Sequence, residues 1–203
     1  MKSRTVVAAM LSVAALALAS AQSYAGEVEV SVLGGVQSLN QNDTSIPDQI
    51  TNVPAIGAVT YHFTPNLAAE GEFSWLIPVK QDVNLSTGTH SLKTPDILAY
   101  QANVRFSWPL LGWTPYVAGG LGAVTFLSNT DADRMPQLQD SQTAFAINFG
   151  AGASVPVASH WAVRGDLREL AAFPSSDQPG LSSSGNSDTI WMERGALGLA
   201  YRF

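Results

Sequence analysis

Cysteine is absent from the 203 residues. That excludes a disulfide scaffold, a thiol nucleophile and a thiolate-ligated zinc or iron–sulfur centre. Charge is scarce. Asp, Glu, Lys and Arg make up 13% of the chain, about half the roughly 25% usual in soluble domains. Positive charge is scarcest, with ten Lys and Arg against sixteen Asp and Glu. A net charge of −6 excludes a nucleic-acid binder, which needs a basic footprint. Beyond residue 25 there is no run of 18 apolar residues, so helical membrane spans are excluded. Helical periodicity is also missing. Yet 46% of residues are hydrophobic, which excludes a disordered chain.

The first 25 residues read as a secretory signal. Lys2 and Arg4 precede the apolar stretch 6–19, interrupted only by Ser12, and small residues follow. Ala19-Ser20-Ala21 and Ser23-Tyr24-Ala25 are the candidate cleavage sites. A membrane anchor would need about 20 apolar residues. Cleavage after Ala25 removes two of the ten bases and takes the net charge from −6 to −8. Residues 26–203 are then the mature domain.

That domain alternates with period two. In residues 145–155, Phe145, Ile147, Phe149, Ala151, Ala153 and Val155 share one face, and Ala146, Asn148, Gly150, Gly152 and Ser154 the other. Eight such stretches are expected as strands: about 26–38, 53–63, 67–78, 96–108, 115–127, 143–156, 161–172 and 189–203. Each reaches the roughly 9–11 residues of a tilted bilayer-crossing strand. Their connections alternate in length. Residues 39–52, 79–95, 128–142 and 173–188 are long and polar, while 64–66, 109–114 and 158–160 are short. All long loops therefore fall at one end. A Greek-key sandwich has no reason to sort loops so; a membrane barrel does, with short periplasmic turns and long extracellular loops. The expected fold is all-β: an eight-stranded antiparallel up-and-down transmembrane barrel.

Parity also sorts the charges. Arg105, Arg164, Arg168, Arg194 and Arg202 fall on the polar face of their strands, as do Glu27, Glu29, Glu70, Glu72 and Asp166. Five bases and five acids on one face suit an enclosed, balanced network, because an unpaired buried ion is very costly. The same face is rich in Gly and Ala, as a crowded interior requires. Glu169 and Glu193 break the rule and fall on the apolar parity, toward the long-loop end. Aromatic residues gather at strand ends, with Tyr61, Phe63, Trp108, Trp113, Trp161, Tyr201 and Phe203 near the short turns and Trp75 and Trp191 near the long loops. Such girdles mark bilayer interfaces.

Two kinds of motif carry a resemblance. Gly198-Leu199-Ala200-Tyr201-Arg202-Phe203 resembles the C-terminal signal of bacterial outer-membrane barrels, carried by Leu199, Tyr201 and Phe203. Pro115-Tyr116-Val117-Ala118-Gly119-Gly120-Leu121-Gly122 and Trp161-Ala162-Val163-Arg164-Gly165-Asp166-Leu167-Arg168 are similar to strands of small eight-stranded barrels of the Opa/OmpA/OmpX-like outer-membrane superfamily. The resemblance implies an outer-membrane location and insertion by the barrel-assembly machinery, with outer-membrane lipid and lipopolysaccharide as surroundings. No periplasmic domain is expected after Phe203.

Chemistry is sparse. Some barrels of this kind modify lipid A, which needs a His within reach of a nucleophile. His62 is inward, His90 lies in a loop and His160 in a tight turn, so no catalytic site is expected. Gly119-Gly120-Leu121-Gly122 sits mid-strand and is no phosphate loop. Asp131 and Asp133 lack the calcium-loop pattern. No cofactor or metal is expected. The leading function is a structural or surface-interaction role through the four long loops, with an extracellular ligand as partner. A narrow porin-like channel is the alternative, and a lipid A-modifying enzyme comes third.

Overall fold

Ten β-strands form in the computed structural model, which describes residues 26–40, 50–79, 81–85, 88–129, 138–174 and 189–203. They are β1 (Glu27–Asn40), β2 (Ile50–His62), β3 (Leu67–Pro78), β4 (Gln81–Leu85), β5 (Gly88–Leu92), β6 (Ile97–Ser107), β7 (Thr114–Phe126), β8 (Gln142–Pro156), β9 (Trp161–Phe173) and β10 (Ile190–Arg202). Eight of them close an antiparallel barrel in the order β1-β10-β9-β8-β7-β6-β3-β2. Every barrel strand pairs with its neighbour in sequence, and β1 seals against β10. Each of the eight anticipated stretches is a barrel strand, with ends shifted by a few residues. One element was not anticipated. Within the long connection 79–95, β4 and β5 form a separate hairpin, joined by residues 86–87. The anticipated secretory segment and most of the other three long loops lie outside the described residues.

The tilt follows from the register. Stepping across paired residues from Gln37 leads through Arg194, Arg168, Gly150, Ala118, Arg105, Ala68 and His62, and returns to β1 at Glu27. One circuit thus displaces the chain by ten residues, from 37 to 27. Eight strands with that stagger tilt by about 35–45° and enclose an interior just wide enough for side chains.

The short turns are locally encoded. Thr64 Oγ1 accepts hydrogen bonds from the Asn66 and Leu67 amides at 3.1 and 2.9 Å, closing the β2–β3 turn. The β6–β7 turn bends at Gly112, whose φ of 85° suits glycine. Inward glycines answer a different need. A Cβ on Gly35 would fall on the Gly195 carbonyl of β10, and one on Gly198 on the Val32 carbonyl of β1. Those glycines let the closing seam approach.

Alternation sends large apolar side chains outward. Val32, Val104, Leu167 and Leu197 are each 60% exposed or more. A soluble protein rarely shows such a continuous apolar surface. Rings pack along the short-turn rim, with Tyr61 on Phe63, Phe106 on Trp108 and Trp161 on Tyr201. Phe73 on Tyr100 and Phe145 on Phe173 lie toward the loop end.

Candidate functional site

The interior divides into two zones. The half nearer the short turns is ionic. Each of its four buried carboxylates is held by at least two arginines from other strands or from its own, as follows. Glu29 accepts from Arg105 Nη1 at 3.0 Å and Arg202 Nη2 at 3.1 Å. Glu70 meets Arg164 Nη2 at 2.6 Å and Arg168 Nη2 at 2.5 Å, with Asn103 and Thr60 donating as well. Glu72 takes both terminal nitrogens of Arg194, at 2.6 and 3.1 Å, and lies 3.4 Å from Arg168 Nη1. Asp166 accepts from Arg168 Nε at 3.0 Å and Arg194 Nη2 at 2.9 Å.

Apart from Arg202, these charged residues are buried, each at most 5% exposed, and Arg105 and Arg164 have no accessible surface. Glu27 and Arg202 form a looser pair at the rim, 3.6 Å apart, with side chains 36% and 42% exposed. All ten charged residues singled out from the sequence therefore lie on the interior face and join one balanced set. Burying so many charges is tolerable only because each is paired and hydrogen-bonded.

Sequence reasoning missed Tyr116. Its hydroxyl donates to Asp166 Oδ2 at 2.8 Å and accepts from Arg164 Nε at 2.8 Å. The Arg105 guanidinium lies 4.1 Å from its ring centroid, a cation–π contact. Parity in β7 was the available signal, since Tyr116 shares a face with Ala118.

The half nearer the loops is apolar. Leu76, Ile97, Val124, Phe126, Leu170, Ile190 and Met192 converge there, with Leu138 from beyond β7. Ile97, Val124 and Met192 have no accessible surface. The sequence reading gave the inward face its charges and did not foresee this cap. The chain is thus filled twice over, by ions below and by hydrocarbon above.

The remaining candidates scatter. Leu199 and Phe203 are exposed on the outer face, 50% and 72%, and Tyr201 packs against Phe203 and Trp161. Glu169 and Glu193 also face outward and stand directly opposite each other across β9 and β10. They edge a groove of about 520 Å³ on the outer wall, with Ser38, Thr51 and Phe149 beside them. His62 is buried 3.8 Å from Glu29, and exposed His160 stacks on Tyr201. Among the described residues no three His, Asp or Glu side chains are grouped to hold a metal. Asp131 and Asp133 lie outside the described residues.

The family model for the outer membrane protein β-barrel domain matches residues 5–203. The chain belongs to this family. As an outer membrane β-barrel it resides in the outer membrane, and its apolar wall faces lipid. A comparison with curated sequences gives no match. Solved structures are similar in fold. The barrel of Neisserial surface protein A aligns with a TM-score of 0.59 at 10% identity, covering 88% of this chain and 99% of that one. The N-terminal β-barrel domain of Pseudomonas aeruginosa OprF gives 0.55 at 15% identity, over 88% and 98%. The attachment invasion locus protein Ail of Yersinia pestis, solved with the heparin analogue sucrose octasulfate, gives 0.50 at 13%, over 88% and 99%. At these identities the likeness concerns the fold.

Proposed function

We propose that this outer membrane β-barrel acts at the cell surface through its four long loops, with the barrel as a closed anchor and without catalysis of its own. The observation that carries this reading is the filled interior. Arg105 and Arg164 in the ionic zone, and Ile97, Val124 and Met192 in the apolar zone, leave no accessible surface. A water-filled pore would wet the side chains that line it. A barrel sealed in two layers presents its accessible polar chemistry at its ends, and the four long loops put most of the connecting residues at one of them.

Charge narrows the partner. The long loops and their edges carry nine of the sixteen acids, against Lys80, Lys93 and Arg134. Such a surface favours cationic partners, or anionic ones bridged by divalent cations as in lipopolysaccharide. It disfavours a bare polyanion, unlike Ail with its heparin analogue. The test uses cells displaying the full chain or a variant whose four loops are replaced by short turns. Adhesion to a polycation-coated surface is expected to fall at least about tenfold in the variant, with weak adhesion of either to immobilised heparin. Equal adhesion by both forms, with the barrel inserted, sinks the proposal.

A further inference from the structure

We propose a binding site for a phospholipid headgroup at the short-turn mouth of the barrel, where the lumen meets the periplasmic face of the outer membrane. A pocket of about 110 Å³ opens there, lined by Glu29, Ser154, Ser159, His160, Trp161 and Arg202. An apolar cavity of about 150 Å³ accepts benzene, so this one suits a group of phosphate size.

The pairing left over in the pocket is donor pairing. Ser154 is 4% exposed, yet its hydroxyl has no hydrogen-bond partner among the described residues. The Glu29 carboxylate is already taken, by Arg105 at 3.0 Å and Arg202 at 3.1 Å. The Arg202 guanidinium is half exposed, and its Nε lies 3.6 Å from Glu27, beyond hydrogen-bond distance. Arg202, the Ser154 and Ser159 hydroxyls and the His160 ring therefore offer N–H and O–H groups toward one small volume. An oxyanion with several acceptor oxygens answers that set. The Glu27 carboxylate stands beside it on the rim, 36% exposed and held, among the described residues, by that long contact. A headgroup carrying both phosphate and ammonium engages the two charges of this open pair at once.

The setting favours a lipid over a free ion. Trp161 is a wall of the pocket and is also 46% exposed on the outer face. It packs edge-on against Tyr201 at 4.9 Å, which packs against Phe203 at 4.9 Å and stacks with His160 at 5.8 Å. The pocket is therefore continuous with the aromatic belt that marks the bilayer interface. Acyl chains lie along Leu199, Tyr201 and Phe203 while the phosphate turns over the rim.

The test is native mass spectrometry of the refolded full-length barrel, released from detergent after equilibration with short-chain phosphatidylethanolamine, short-chain phosphatidylglycerol or inorganic phosphate. The expected result is one retained phosphatidylethanolamine, with phosphatidylglycerol held more weakly. Ser154→Ala lowers retention about threefold, as for a lost neutral hydrogen bond, and Arg202→Gln about tenfold, as for a charged one. Glu27→Gln removes the preference for the ethanolamine lipid. Ser154→Ala leaves every ion pair in place, so a folding defect in Arg202→Gln does not rescue the idea. Retention unchanged by Ser154→Ala and Arg202→Gln overturns the site. Millimolar inorganic phosphate that binds alone or displaces the lipid overturns the lipid assignment and makes this a free-phosphate pocket.

Discussion

Arg164 is where the interior is most tightly coupled. With no accessible surface it holds Glu70 at 2.6 Å, Asp166 at 3.4 Å and the Tyr116 hydroxyl at 2.8 Å. Arg164→Met leaves those acceptors short of a cation inside a closed barrel. The expected loss is about 3–5 kcal/mol, as when one partner of a buried pair is removed. Denaturant unfolding in lipid vesicles measures it. Adding Glu70→Met removes the orphaned carboxylate as well, so the double variant is expected to lose less than the two single losses combined. Glycines offer a second contrast. Gly35→Ala puts a methyl on the Gly195 carbonyl and forces β1 from β10, at a cost of about 1–3 kcal/mol. Gly57 faces outward with nothing within 4 Å of an added Cβ, so Gly57→Ala is expected to be neutral or to stabilise by about 0.5 kcal/mol. The same titration distinguishes them, and equal losses would contradict the crowding argument.

At the level of elements, the eight barrel strands run from 11 to 15 residues, so each meets or exceeds the roughly 9–11 that cross a bilayer at such a tilt. The hairpin β4–β5 stands apart, since its strands pair only with each other. Replacing residues 80–92 by a short Gly-Ser link is expected to leave the barrel folded, with its unfolding free energy changed by no more than about 0.5 kcal/mol. Loop closure depends only weakly on length. The readout is the mobility difference between unheated and boiled protein on a gel, together with the unfolding midpoint. A larger drop would mean that the hairpin supports the barrel. That hairpin was not legible in the sequence. Residues 81–92 are polar and lack a strong two-residue alternation, and their pairing with each other is the only thing that makes them strands.

For the whole molecule, closure turns local alternation into a sealed plug. Acids and bases far apart in the chain meet across the lumen, as with Glu29 of β1 and Arg105 of β6, or Glu72 of β3 and Arg194 of β10. The apolar cap of Leu76, Ile97, Phe126, Ile190 and Met192 then closes the loop end. Planar-bilayer recording of the refolded barrel is expected to show no steady unitary conductance, because an ion would have to displace both layers. A stable open level would refute the plug and favour the channel reading.

The sequence alone settled the eight barrel strands, the sorting of long loops to one end, and the parity that separates the two faces of each strand. Those features follow from a two-residue repeat and from turn residues, which act over a few positions and so survive in one dimension. It also placed ten charges on the interior face. Which arginine meets which carboxylate, the place of Tyr116 between Arg105, Arg164 and Asp166, and the division into ionic and apolar halves were decided only by the tertiary structure. They depend on the ten-residue stagger and on the β1–β10 seam, and a residue's height in a tilted barrel is a property of the closed circuit, not of its own strand.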